Sequence, residues 1–296
     1  MRWLWLVLLL VVVAGLLYLI ASAYITERAT HAVRSPIVGS PADLGLPYES
    51  VSFESAVDRI PLQGWYLPSR GERAIIMLHG IDQNRWNEWE RVPQKASMFV
   101  EHGFDVLVFD LRGHGQSGGD RLGLGWVERN DVRGAVDYVQ RRGIRPGRIG
   151  LHAHSYGAAT ALLTAAVEPA VGAVVADSAF ADMRPLLNHE VQLRGYPPIF
   201  APGTALVFSQ FYGLDLDQIA PINQVAKISQ PVLFIHGGQD ERIPVENSQQ
   251  LFAAAHNGAD ELWLVPAAAH VQAFAVEPAA YMLKVLGFFD ASLQGQ

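Results

Sequence analysis

The chain has 296 residues, of which 50% are hydrophobic and 17% are charged, and its formal net charge is −7. This composition excludes a disordered chain and supplies enough apolar side chains for a large core. The acidic balance excludes the basic footprint of a nucleic-acid-binding protein, so no nucleic-acid partner is expected. The absence of cysteine excludes disulfides, thiolate metal sites and cysteine nucleophiles.

The first predicted element is a transmembrane anchor within residues 1–25. Residues 3–25 contain no charged side chain, and a helix of that length crosses a hydrocarbon layer of roughly 30 Å. Arginines lie on both sides of this span, so the positive-inside count does not decide its orientation. The very short tail before the span favours a membrane protein whose following domain is extracytoplasmic. Two alternatives stay open, a buried soluble helix and a cleaved signal peptide, for which residues 21–23 (Ala-Ser-Ala) would fit the cleavage site.

The next 22 or so residues, 26–47, are rich in proline and small residues and are predicted to form a stalk. From residue 48 to 296, short apolar runs alternate with helical stretches, which predicts βαβ units. The fold class is therefore α/β, a doubly wound and mostly parallel sheet that opens with an antiparallel pair. The predicted strands are 51–53, 60–66, 74–78, 106–109, 149–153, 173–176, 232–235 and 262–265, and the predicted helices are 88–102, 125–142, 156–168, 246–257 and 278–290.

Residues 179–227 interrupt this alternation. The stretch contains five prolines and several aromatic residues, and it is too long for a plain connection and too apolar for a disordered one. It is predicted to be a small helical cap inserted into the domain, close to the substrate. The alternative is a long excursion that packs on the sheet and has no part in substrate choice.

The residues that indicate chemistry begin with a serine between a strand and a helix. Residues 153–157 read Ala-His-Ser-Tyr-Gly and follow the predicted strand 149–153. This strand–turn–helix context is the one that a nucleophile elbow requires, because small neighbours let the turn project the serine hydroxyl above the sheet. Ala153 stands where the pattern usually has glycine. Ser155 is therefore the predicted nucleophile.

A serine hydroxyl needs a general base, and the base needs an acceptor that fixes its tautomer. His270 follows the last predicted strand, and Asp240 follows the strand 232–235. Both positions lie where a parallel sheet collects its site residues. His270 is the predicted base and Asp240 its acceptor, with Asp177 and Glu241 as rival acids. The backbone N–H groups of Ile81 and Tyr156 are the expected oxyanion donors.

Taken together, these motifs resemble those of the α/β-hydrolase superfamily, and the chain is most similar to its small-cap, membrane-anchored serine esterase and acyl-hydrolase branches. The similarity covers about residues 50–292. It implies hydrolysis through an acyl-enzyme, without a cofactor or a metal ion. The residues that carry the resemblance are His79 and Gly80, residues 110–117 (Asp-Leu-Arg-Gly-His-Gly-Gln-Ser), residues 154–157 (His-Ser-Tyr-Gly), Asp240 and His270.

Other motifs favour a structural role. The glycine-rich residues 112–119 lack the lysine of a phosphate-binding loop, and Arg112 is expected to be a structural hydrogen-bond donor. His152 and His154 have no third ligand at a fitting spacing, so no metal site is expected. The leading function is cleavage of carboxylic esters, with an apolar or lipid-derived acyl substrate. A peptidase, amidase or thioesterase with the same triad, and a non-catalytic scaffold, are the alternatives.

Overall fold

The sheet at the centre of the molecule has eight strands and is mostly parallel, as the sequence predicts. The computed structural model describes residues 2–31 and 33–294. Every predicted strand is present, and most extend one or two residues further. The strands are β1 (Glu49–Glu54), β2 (Pro61–Leu67), β3 (Arg73–Leu78), β4 (Phe104–Phe109), β5 (Ile149–His154), β6 (Val171–Asp177), β7 (Val232–Gly237) and β8 (Glu261–Val265).

The strand order is β1-β2-β4-β3-β5-β6-β7-β8. β2 runs antiparallel to both of its neighbours, and all later pairs are parallel. Every residue of β4, β5 and β7 is buried, which explains why these strands are mostly apolar in the sequence; the buried polar exceptions are Asp105, His152, His154 and His236. The carboxyl ends of β3, β5, β7 and β8 therefore meet at one edge of the sheet, where ligand sites form in such folds.

Helices cover both faces of this sheet, and two lie in the predicted insertion at 179–227. The predicted helix 88–102 begins later, at Val92, because Asn84 and Asn87 accept hydrogen bonds from the backbone N–H groups of Trp86 and Glu90 and hold that segment in turns. The helices are α1 (Arg2–Thr30), α2 (Val92–Glu101), α3 (Arg129–Arg141), α4 (Tyr156–Ala165), α5 (Met183–Leu193), α6 (Phe200–Phe211), α7 (Glu246–Ala254), α8 (Ala273–Val276) and α9 (Pro278–Ser292).

The apolar interior is divided into three clusters. On one face of the sheet α3 and α4 bury side chains such as Val136. On the other face α2 and α9 bury Phe99 and Phe289. The third cluster lies outside the sheet and joins α5, α6 and the end of α1, where Ile25 packs in the same group as Phe208. The insertion is therefore packed against the N-terminal helix as well as against the domain.

The N-terminal helix does not end at the predicted boundary between the membrane anchor, residues 1–25, and the stalk, residues 26–47. α1 continues to Thr30, and its last turns are buried against the domain, with the hydroxyls of Thr26 and Thr30 donating to carbonyls one turn earlier. The predicted stalk is also attached to the domain, since the Arg34 guanidinium donates to four carbonyls of the loop 114–119. α1 is long and apolar enough to cross a membrane, a criterion that a signal sequence also meets.

Candidate active site

Ser155 occupies a sharp turn between β5 and α4. Its backbone has φ 50° and ψ −117°, a conformation that a residue with a side chain rarely adopts. Strand and helix approach so closely that a Cβ on Gly157 would lie 2.6 Å from the carbonyl oxygen of His79 and 2.8 Å from that of Leu78. Glycine is therefore required at position 157, whereas Ala153 is accommodated as a buried residue of the strand.

The structure brings Ser155, His270 and Asp240 into one hydrogen-bonded chain. His270 Nε2 lies 2.9 Å from the Ser155 Oγ, and His270 Nδ1 lies 2.7 Å from Oδ2 of Asp240. All three side chains are buried. With Nδ1 donating its proton to the carboxylate, Nε2 is free to accept the proton of the serine hydroxyl. The arrangement can therefore activate a serine nucleophile.

Asp240 is oriented by its own loop. Its Oδ1 accepts hydrogen bonds from the backbone N–H groups of Arg242 and Ile243, so that Oδ2 faces His270. Burial opposes ionisation of this carboxyl, but hydrogen bonds from His236, His270 and Ile243 outweigh it and hold the pKa of Asp240 well below its usual range. The carboxylate is consequently charged at neutral pH, as an acceptor for an imidazolium must be.

The two rival acids have other partners. Asp177 Oδ2 accepts a hydrogen bond from the Tyr281 hydroxyl, and its Oδ1 accepts one from Ser178. Glu241 offers its backbone carbonyl to His189. Neither carboxylate has a hydrogen bond to His270 among the residues that the structure describes. The histidine is therefore paired with Asp240.

The loop that carries His270 is held in a strained backbone conformation. Val271 has φ 57°, which is unfavourable for a β-branched residue, and its N–H donates to the Ser178 hydroxyl at 3.2 Å. Trp89, which lies in the turns before α2, approaches the other side of the imidazole with a ring distance of 6.1 Å. The ring of His270 is thereby confined near Ser155.

The expected oxyanion donors lie beside the serine. Ile81 and Tyr156 line the same cleft as Ser155, and Gly80 is so close that an added Cβ would be 3.5 Å from the serine Cβ. The N–H of Gly80 donates to the buried Glu90 carboxylate at 2.8 Å. This bond fixes the peptide chain immediately before the Ile81 N–H.

Buried polar groups, several of them in the motif 110–117, also stabilise the shape of this loop. The Asp110 carboxylate accepts from the backbone N–H of Arg85 and from its guanidinium. Burial lowers the pKa of His79 to about 4, and the neutral ring accepts the N–H of Leu111 at 3.1 Å. Arg112 donates to Asp131 and Asp58, as expected of a structural residue. These contacts hold the loop after β3 against the loop after β4.

Comparison with known proteins identifies the family. The uncharacterized protein YfhR of Escherichia coli K12 is 31% identical over 236 residues, which are 76% of this chain and 74% of YfhR. The family model of the X-Pro dipeptidyl-peptidases of family S15 matches residues 54–192. The solved esterase Pf2001 of Pyrococcus furiosus aligns with a TM-score of 0.74 at 24% identity, over 88% of this chain and 98% of the esterase.

The chain belongs to the α/β-hydrolase superfamily. Its fold is also similar to an acylaminoacyl peptidase of Pyrococcus horikoshii, with a TM-score of 0.63 and 16% identity, over 84% of this chain and 42% of the peptidase. Both neighbours have an identity below a quarter and therefore share the fold alone. In this chain, Ser155 follows β5, Asp240 follows β7 and His270 follows β8.

Two clefts of this α/β-hydrolase meet at Ser155. The apolar cleft lies on the side of the serine that faces α5 and α6. The polar cleft lies on the other side of the serine and includes Gln83, Trp89, Glu90 and His270. The walls of the apolar cleft are mostly hydrophobic and come from three elements outside the sheet, with Ala29 from α1, Met183, Leu186 and Leu187 from α5, and Phe208 from α6.

Sequence reasoning missed a buried charged group beneath the turn that carries Ser155. Lys95 and Glu90 are buried, and the Lys95 ammonium lies against the rings of Phe274 and Tyr281. A signal was present in the sequence, because Lys95 falls at a core-facing position of α2, three residues after Val92 in an apolar helical register. His154 and His152, which the sequence presents as an H-x-H pair, have hydrogen-bond distances to Lys95 and Tyr281 instead.

Proposed function

We propose that this α/β-hydrolase is a serine hydrolase that cleaves carboxylic esters through an acyl-enzyme on Ser155. The observation that carries the proposal is the continuous hydrogen-bonded chain from Ser155 Oγ through His270 to Asp240. An activated serine nucleophile needs a hydroxyl, an imidazole that accepts its proton and a carboxylate that stabilises the imidazolium. Ser155, His270 and Asp240 supply these three groups.

The reaction proceeds in two halves. Ser155 Oγ attacks the ester carbonyl carbon while His270 Nε2 takes its proton, and Asp240 stabilises the imidazolium. The tetrahedral intermediate collapses, the C–O bond to the alcohol breaks, and His270 returns the proton to the departing oxygen. In the second half, a water molecule loses a proton to His270 and attacks the acyl carbon. The bond to Ser155 Oγ then breaks, His270 returns the proton to that oxygen, and the carboxylic acid is released. None of these steps requires a cofactor or a metal ion.

The negative charge of each tetrahedral intermediate needs donors that are already in place. We assign this role to the backbone N–H groups of Ile81 and Tyr156, the second of which begins α4 and adds the positive end of the helix dipole. One such donor contributes about 3–4 kcal/mol to lowering the barrier. The Glu90–Gly80 hydrogen bond supports the loop that supplies the first donor.

The two clefts suggest how an ester is oriented. The apolar cleft is suited to the acyl chain, since Leu186, Leu187 and Phe208 offer it a hydrophobic wall. The polar cleft, with His270 at its base, is suited to the alcohol that must receive a proton. The structural neighbour from Pyrococcus furiosus, with which the chain shares the fold, is itself an esterase.

Amide or peptide cleavage is the second candidate function, and thioester cleavage would use the same triad. The match of residues 54–192 to the X-Pro dipeptidyl-peptidase family favours the peptide alternative. The chemistry differs only in the leaving group that His270 protonates, so a panel of esters, thioesters and peptide amides of the same acyl group distinguishes these activities.

We further propose that α1 anchors the enzyme in a membrane with the catalytic domain, residues 48–296, on the extracytoplasmic side. An exposed apolar helix at the N-terminus supports the anchor. Protease protection in sealed vesicles shows on which side of the membrane the catalytic domain lies. The mass of the membrane-bound protein distinguishes an anchor from a cleaved signal.

The experiment on the proposed function uses the full chain in detergent micelles. Wild-type protein is expected to react with a fluorophosphonate and to hydrolyse p-nitrophenyl esters with an efficiency that rises with acyl length. Ser155→Ala should lose both properties with unchanged circular dichroism, whereas Ser97→Ala, which removes a serine hydroxyl from the surface of α2, should lose neither. A folded wild-type protein that neither labels nor hydrolyses would favour the scaffold alternative.

A further inference from the structure

The N-terminal helix and the cap helix are fitted closely to each other. The N–H of Gly203 in α6 donates to the Tyr18 hydroxyl at 2.9 Å, and that hydroxyl donates to the Ile199 carbonyl at 2.8 Å. A Cβ on Gly203 would lie 2.2 Å from the Ser22 Oγ and 2.7 Å from the Tyr18 ring. Tyr18 also stacks on Phe200 at 5.6 Å. The position of α6 along α1 is therefore determined by specific contacts.

This position can be compared with the thickness of a membrane. Residues 2–17 of α1 are exposed along their whole length, and at 1.5 Å per residue they extend about 24 Å. A hydrocarbon layer is roughly 30 Å thick, so it reaches past residue 17. The uncharged run of α1 indeed continues to Ile25. The last part of the span is the part that lies beside the beginning of α6.

The outer face of the cap is suited to such a layer. Ile199, Leu206 and Phe211 are 67%, 50% and 79% exposed. Residues 196–214 contain no charged side chain. Exposed apolar residues grouped in this way mark an interaction surface. Their continuity with α1 identifies the partner as the lipid surface that α1 enters.

The inner face of the same cap forms the apolar cleft. Phe208 projects inward from α6, and Ala29 of α1 lines the cleft together with Ser155. The anchor helix is thus both the attachment to the membrane and part of the wall beside the nucleophile. Ala29 and Phe208 therefore give an apolar lining to the side of the cleft that α1 and α6 form.

We propose that α6 and the loop 196–199 lie in the interfacial layer of the membrane that α1 spans, and that the enzyme takes a long-chain acyl ester from that membrane into the apolar cleft. The proposal deepens the proposed function and rests on it. The source of the substrate is then the lipid layer. An enzyme that takes its ester from water instead would contradict this proposal.

The first experiment locates α6 relative to the bilayer. Because the natural chain has no cysteine, Ile199→Cys and Leu283→Cys can each carry one environment-sensitive fluorophore. Leu283 is the matched control, since it is 77% exposed on α9, away from the cap. In phosphatidylcholine vesicles with brominated acyl chains, we expect strong quenching at position 199 and little at 283. Equal quenching at the two positions would overturn the membrane contact.

The second experiment measures substrate uptake. The measured quantity is the ratio of kcat/KM for a long-chain acylglycerol in phosphatidylcholine vesicles to kcat/KM for a soluble butyrate ester. Ile199→Asp should lower this ratio by at least about tenfold, because a charged side chain is unfavourable in the apolar part of the interface. Leu283→Asp should leave it unchanged.

The outcomes separate the two proposals. A wild-type protein that hydrolyses neither ester, or a Ser155→Ala variant that is equally active, would contradict the proposed function. If wild-type protein hydrolyses both esters and Ile199→Asp has the same ratio, only the uptake of substrate from the membrane is wrong.

Discussion

The Lys95 ammonium lies 2.6 Å from Nε2 of His154, directly beneath the turn that carries Ser155, and both side chains are buried. Burial and the neighbouring Lys95 charge hold the pKa of His154 well below its usual range, so the neutral ring accepts a hydrogen bond from the ammonium. Burial lowers the pKa of Lys95 to about 8, and the charges of Asp177 and Glu90 oppose that shift. A cation under the nucleophile turn thus compensates two buried acids.

Replacing this lysine should be costly. Lys95→Met keeps most of the side-chain volume but removes the donor to His154 and the charge that balances Glu90 and Asp177. Uncompensated buried charges cost about 3–5 kcal/mol, and we expect a loss of that size in the free energy of unfolding, measured by urea denaturation in micelles. Lys284→Met is the control, since Lys284 pairs with Glu261 at the partly exposed surface and should cost less than about 1 kcal/mol. Similar losses in the two variants would contradict a compensating role for Lys95.

The close approach of α4 to the loop after β3 makes a second prediction. Gly157→Ala would place a methyl group 2.6 Å and 2.8 Å from two backbone carbonyl oxygens, which cannot move independently of the sheet. We expect a destabilisation of about 1–3 kcal/mol, typical of overpacking. Gly287→Ala is the matched change, because a Cβ there would meet no atom of the described residues within 4 Å. In the interior of α9 it should stabilise by about 0.5–1 kcal/mol. The two shifts in urea midpoint should therefore have opposite signs.

The pairing of His270 with Asp240 makes a kinetic prediction. Asp240→Asn presents an amide to Nδ1 and favours the wrong imidazole tautomer, so kcat on a soluble butyrate ester should fall by about 10⁴-fold. KM should change little, because Asp240 does not line either cleft. Glu241→Gln removes the adjacent acid and should retain nearly full activity. A large loss in Glu241→Gln together with an active Asp240→Asn would show that Glu241, and not Asp240, is the acceptor.

The buried carboxyl of Glu90 is expected to make the stability of the protein depend on pH. Burial raises the pKa of its carboxyl to about 7, against hydrogen bonds from Asn87 and Gly80 that lower it. Since the unfolded pKa is near 4.5, the native state binds the extra proton between pH 4.5 and about 7. The stability due to this group is therefore present below pH 4.5 and is lost as the pH rises to about 7.

The measurement compares wild-type protein with Glu90→Gln, which cannot titrate. The free energy of unfolding of wild type minus that of the variant should decrease as the pH rises across this window. A difference that stays constant from pH 4.5 to 7 would show that Glu90 does not titrate there in the native state.

Much of the architecture and of the candidate site could be predicted from local sequence patterns. Strand positions follow from short apolar runs, since a strand covered on both faces is mostly apolar. Ser155 is readable from its immediate neighbours, because the elbow needs small residues beside a strand end and a helix start. His270 and Asp240 follow from their places after parallel strands, whose carboxyl ends share one edge. Each inference depends on residues close together in the chain.

Other features depended on segments that are distant along the chain. The start of α2 at Val92 follows from side-chain bonds of Asn84 and Asn87, which compete with helical bonds in a way that periodicity does not reveal. The choice of Asp240 over Asp177 depends on which strand end faces His270. The attachment of residues 33–40 through Arg34 likewise depends on carbonyls of the loop 114–119.

The sequence by itself determined the α/β class, the apolar N-terminal helix and the candidates Ser155 and His270, whereas the choice of Asp240 among three acids needed the folded chain. Only the tertiary structure decided that Lys95 offsets two buried acids, that Gly203 receives Tyr18, and that α1 contributes to the apolar cleft. The physical reason is that hydrophobic periodicity and turn chemistry are encoded within a few consecutive residues. Charge compensation and helix packing instead arise between surfaces that become neighbours only when the chain has folded.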